Sequence, residues 1–174
     1  MCIRDRFYVF VYTLWLKRTS KQNIVIGGAA GAVPVLVGWS AVTGTIAWPT
    51  VVLLALMFLW TPPHFWALAI RYREDYRSVN VPMLPVVESF KRTAAQILVY
   101  TVLVVVCSLV FAPVGGMGPL YWVSATVLGA IFLALAWLLW REPTEAIAMR
   151  LFHWSITYVT LLFAAMAADQ LIFH

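Results

Sequence analysis

The chain has 174 residues, of which 63% are hydrophobic and only 11% charged, with nine tryptophans and a formal net charge of +5. So little polar surface excludes a soluble globular domain, and the basic excess lacks the solvated face that a nucleic-acid binder needs. The expected solvent is the lipid bilayer and the expected class is an all-α, polytopic membrane helix bundle.

At the start, "MCIRDR" places Arg4, Asp5 and Arg6 directly before an apolar run over 7–16. Ten helical residues reach only about 15 Å into a hydrocarbon layer of about 30 Å. Residues 1–6 are therefore expected to be a non-native scar, and 7–16 the last half of a truncated span in a single membrane domain, 7–174. "KRTSKQN" follows, with Lys17, Arg18 and Lys21 at the membrane face. Full spans are expected near 24–43, 48–70, 94–112, 120–140 and 151–172. The first carries "GGAAGAVP", whose Gly27 and Gly31 are expected to allow close helix packing or to leave room for a bulky ligand. The second ends in "WTPPHFW", Trp60 to Trp66. Each proline deletes a backbone donor, so Pro62 and Pro63 predict a broken helix beside a cavity that receives the orphaned groups. "APVGGMGP" reads as a turn between spans, and "EPTEAIAMR" as a short amphipathic approach to the last span, starting near Pro143. Cys2 and Cys107 are too few and too ill-placed for a disulfide framework.

Charge sets an expected topology. Beyond residue 6, Lys and Arg fall only in alternate connections: 17–21, then 71–92 (Arg71, Arg73, Arg77, Lys91, Arg92), then Arg141 and Arg150. By the positive-inside rule these face the cytoplasm and the C-terminus lies outside. The end of the second span, with "WTPPHFW", is then cytoplasmic.

Three ordered blocks, "YTLWLKRTSKQNIVIGGAAGAVPVLVGWSAVTG", "LWTPPHFWALAI" and "DYRSVNVPMLPVV", with the closing "SITYVTLLFAAMAAD", resemble the protoheme IX farnesyltransferase (haem O synthase) branch of the UbiA-type intramembrane prenyltransferases. The resemblance covers nearly all of 7–169. It implies a nine-helix bundle that this chain enters within the fourth helix, and transfer of a farnesyl group from farnesyl diphosphate to a vinyl group of haem b, making haem O. It also implies Mg2+ held by two acidic motifs. The first, N-x-x-x-D-x-x-x-D, is absent from these residues; the second is represented by Asp75, with Glu74 beside it. Activity is accordingly expected of the full-length protein only. Haem A synthase or a terminal-oxidase assembly is the implied protein partner. At the positions before "VPMLP", where the family has Ala then Gly or Asn, stand Val79 and Asn80, and Asn80 is expected to accept a left-handed turn.

The same residues make chemical sense one by one. Loss of diphosphate leaves a multiply charged anion that a hard divalent ion on Asp75 can stabilise, with Lys17, Arg18 and Arg71 taking up further charge. Trp60, Phe65, Trp66, Tyr72 and Tyr76 offer faces to an allylic cation. His64 is a candidate haem contact. Each has a plainer reading: Glu74 and Asp75 as solvated carboxylates, Lys17 and Arg18 as topology anchors, Asn23 as a substrate contact or only a helix cap, His64 as merely hydrogen-bonded, and His153 as interfacial. Two other function classes stay open, a secondary-transporter fragment and a haem-carrying membrane subunit with His64 and His153 as axial ligands.

Overall fold

In the computed structural model, residues 23–173 are described. The segments 1–6 and 7–16, together with Lys17 and Arg18, lie outside the described residues. Among those described there is helix, turn and bend but no strand. Five helices are long and apolar enough to cross a bilayer: α1 (Asn23–Thr43), α2 (Trp48–Arg71), α5 (Phe90–Val114), α6 (Pro119–Arg141) and α7 (Glu145–Phe173). Two short helices, α3 (Arg73–Ser78) and α4 (Leu84–Val87), occupy the connection between α2 and α5.

Helix is the outcome even where propensity is poor. α5 is rich in valine, a residue that prefers strands in water, yet an open strand edge has no partners in lipid and a helix satisfies its own backbone. Its Val99, Val102, Val106 and Val110 face outward, while Ala94, Ile97, Val104 and Phe111 are buried inward. Both faces are apolar, as expected of a helix whose outer solvent is hydrocarbon. The ends are marked locally. The Ser89 hydroxyl accepts from the Arg92 backbone N–H at 3.3 Å and starts α5. Prolines open α2 and α6, where a missing donor costs nothing. Thr144 accepts from the Ile147 N–H at 3.4 Å ahead of α7. At 29 residues α7 is about 44 Å long, so the expected amphipathic approach is the first part of one continuous helix projecting past the apolar layer.

α2 is the hub. It packs against α1, α5 and α7, while α5 packs on α6 and α6 on α7, so that α2, α5, α6 and α7 close a ring to which α1 is added at α2. The α5–α6 crossing is tight at Gly129, where a Cβ would lie 2.8 Å from a Val105 methyl. Tyr121 stands in the core with its hydroxyl donating to the Ser108 carbonyl at 3.0 Å.

Two expectations change. Pro62 and Pro63 do not break α2, which runs unbroken to Arg71. They are buried, and so are Leu56, Trp66 and Ala67 around them, so packing by neighbouring helices holds the axis through the missing donors. In α1 the close-packing glycine is Gly28, where a Cβ would meet the Thr61 side chain at 3.1 Å. Gly31, expected either to pack closely or to leave room for a bulky ligand, has nothing within 4 Å of an added Cβ and opens onto a groove, in keeping with the second reading.

The two ends of the bundle differ in charge. Arg71 Nε lies 3.8 Å from Glu145 Oε1, which joins the end of α2 to the start of α7. Lys91 and Arg92 at the start of α5 share a surface recess with Trp140 near the end of α6. Among the described residues the basic connections therefore gather at one end. At the other, the Asp169 carboxylate of α7 accepts from the backbone N–H groups of Gly118 and Tyr121, capping α6 from a different helix.

Candidate functional site

The last turns of α2 carry the most organised polar cluster in the described residues. His64 is buried, with its ring stacked between Trp60 (4.3 Å between centroids) and Phe152 of α7 (4.7 Å), and with the Phe65 ring edge-on at 5.1 Å. Its Nδ1 lies 2.7 Å from Ser155 Oγ. The Ser155 carbonyl accepts from Trp60 Nε1 at 2.9 Å, so two side chains one helical turn apart on α2 both grip the same residue of α7. Trp60 also lines the groove between α1 and α2, a space of about 320 Å3 walled by Ile24, Gly27, Gly31, Met57 and Phe65. The volume suits part of an elongated apolar ligand.

Beyond Arg71 the character changes. Glu74 and Asp75 stand exposed in the first turn of α3. The Glu74 carboxylate accepts two hydrogen bonds from Arg77, at 3.0 and 3.1 Å, while the Asp75 backbone carbonyl accepts from the Ser78 hydroxyl at 2.7 Å. Tyr72 is exposed and Tyr76 packs partly against the core. Asn80 has φ 53°, the left-handed turn expected of it. Among the described residues no group of three or more His, Cys, Asp or Glu is placed to hold a metal ion.

His64 and Trp60 are thus brought together, and Arg71 reaches Glu145 rather than either of them. Trp66, considered as an aromatic wall, is instead 1% exposed and packs edge-on against Tyr100 at 5.4 Å, in the α2–α5 core. Asn23 is buried at the first residue of α1. His153 is exposed and only two positions from Ser155 on α7, hence on another face, so it does not pair with His64 as axial ligands to one haem iron. Sequence reasoning missed Phe152, Ser155 and Asp169. A serine and a phenylalanine in an apolar span carry no signal of a partner on another helix, whereas an acid late in α7, Asp169, is a signal that could have pointed to a buried partner.

Several relatives are known by name. Proteins named protoheme IX farnesyltransferase from Parafrankia sp. (strain EAN1pec) and Gloeobacter violaceus are 58% and 54% identical to this chain, each over 95% of it and 54% of their own length. One of the same name from Frankia alni is 54% identical over 95% of the chain and 58% of its own length. The chain spans about half the length of the curated relatives it matches. No solved structure gives a significant match. The family described as UbiA prenyltransferase is matched over residues 6–166, and with five apolar helices in the expected order the chain belongs to the UbiA prenyltransferase family.

Proposed function

We propose that the whole protein transfers a farnesyl group from farnesyl diphosphate to a vinyl group of haem b, yielding haem O. The observation that carries this reading is the 58% identity, over nearly the whole chain, to a protein named protoheme IX farnesyltransferase. In that reaction the bond from farnesyl C1 to diphosphate oxygen breaks and a bond to the terminal vinyl carbon forms. Water oxygen adds to the inner vinyl carbon and its proton leaves, so no amino-acid nucleophile is needed.

The residues divide by task. The groove between α1 and α2, with Gly31 leaving space and Trp60 as a wall, takes apolar substrate. His64 contacts haem. Arg71, Tyr72, Tyr76 and Asn23, with Lys17 and Arg18, bind or screen the diphosphate end. Asp75 and Glu74 supply carboxylates to Mg2+, which when bound would neutralise the leaving diphosphate. These two carboxylates alone fall short of a metal site, Glu74 being already engaged by Arg77. For the same reason the 174 residues by themselves are expected to give no product.

The basic end faces the cytoplasm of a bacterial inner membrane, the C-terminus faces outward, and haem O passes to haem A synthase or a terminal oxidase. A cysteine at Ser78 should resist an impermeant thiol reagent in intact cells; labelling without lysis reverses this orientation. The haem-carrying alternative loses its ligand pair with His153 on another face of α7. The transporter alternative lacks support because the described spans hold no ionised side chain in their middle portions. The deciding test is haem O detected by mass after the whole protein in lipid nanodiscs is supplied with haem b, farnesyl diphosphate and Mg2+. Unchanged haem b would overturn the proposal.

A further inference from the structure

Ser155 has two short contacts and one proton. Its Oγ lies 2.6 Å from the Phe152 carbonyl on its own helix and 2.7 Å from His64 Nδ1. A carbonyl only accepts, so the hydroxyl proton points to Phe152 and the oxygen must accept from His64. Nδ1 therefore carries a hydrogen, and in the neutral ring Nε2 carries the lone pair. No described residue hydrogen-bonds Nε2. The ring cannot readily turn over to exchange its nitrogens, since Trp60 and Phe152 stack on its two sides and Trp60 is itself tied to the Ser155 carbonyl.

We infer that Ser155 is a positioning residue: it holds His64 in the Nδ1–H form, between two aromatic rings, so that Nε2 is presented as a ligand to the iron of the porphyrin substrate. This rests on the haem reading of His64 given above. A histidine that binds a metal through one nitrogen commonly donates from the other to a fixed acceptor, and loss of that acceptor costs roughly 10- to 100-fold in metal affinity. The serine makes the acceptor oxygen available only because its own proton goes to the Phe152 carbonyl, so that His64 donates to Ser155 and Ser155 to Phe152 in one hydrogen-bond chain.

The test has two readouts on the whole protein in nanodiscs. Ring-nitrogen NMR of isotope-labelled histidine, assigned by loss of signal in His64→Gln, reports the tautomer without any haem. Wild type and Ser155→Thr should show Nδ1 protonated and Nε2 bare, and Ser155→Ala a mixture or the reverse. A bare Nδ1 in wild type overturns the inference, as does an unchanged tautomer in Ser155→Ala. Titration with haem b, read in the Soret band, should weaken about tenfold in Ser155→Ala, with Ser155→Thr close to wild type. A tautomer that shifts while haem affinity stays fixed in both Ser155→Ala and His64→Gln overturns the ligand role and the haem reading of His64, and leaves the prenyltransferase proposal to be judged by its own product assay.

Discussion

The seam between α2 and α7 and the connection that follows it carry most of the polar chemistry of the described residues, and they are built in opposite ways. At the seam, Trp60 and His64 reach across to Phe152 and Ser155, and each of the four is fixed by at least one other. In the connection, Glu74 and Asp75 stand in the open on a helix of six residues, and the nearby ion pair of Glu74 with Arg77 is exposed. A ring held on both faces keeps its orientation before any ligand arrives, which is the condition for precise recognition. Exposed carboxylates have no fixed geometry, and gain it only when a cation organises them. The seam is suited to orienting a substrate, the connection to handling charge.

Substitutions can break or sharpen that contrast. The largest effect belongs to the connection: in the whole protein Asp75→Asn should lower turnover about a hundredfold or more, with haem binding unchanged, because removing a charge beside the leaving group costs several kcal/mol in the transition state. Near-normal haem O formation would remove Asp75 from the site. Next come the two glycines of α1. Gly28→Leu should cost about 1–3 kcal/mol in thermal stability, since Thr61 already lies against that position. Gly31→Leu should change stability by no more than about 0.5 kcal/mol, yet reduce use of farnesyl diphosphate by filling the groove. Equal loss of stability in both variants would show that the groove is closed by packing and takes no substrate. The smallest effect is expected at Glu74→Gln, which breaks an exposed pair worth about 1 kcal/mol or less, so a melting curve should barely move. A large drop in stability there would mean that the connection is as tightly held as the seam.

Much of this architecture was legible because it depends on local composition. The apolar runs announced the five helices and the alternation of Lys and Arg announced which ends lie together, while the left-handed Asn80 was expected from the resemblance at the positions before "VPMLP". The polar cluster was legible in part: "WTPPHFW" drew attention to the turns of α2 that carry it, but for a break that packing prevents. Ser155 was invisible, 91 residues from His64 and flanked by ordinary apolar neighbours.

Transfer free energy acts on whole segments, so the order of residues alone determined that this chain lives in lipid, where its spans fall and which connections carry charge. Which residue meets which is set by the rotation of each helix about its axis, and a step of one residue turns a side chain by about 100°. In water a polar face would reveal that rotation. In lipid the outward face is as apolar as the core, as the valines of α5 show, and the pattern no longer marks the inside. Only the packed structure could therefore decide that Gly28 and not Gly31 meets Thr61, that Asp169 caps α6, and that Ser155, not His153, turns toward His64.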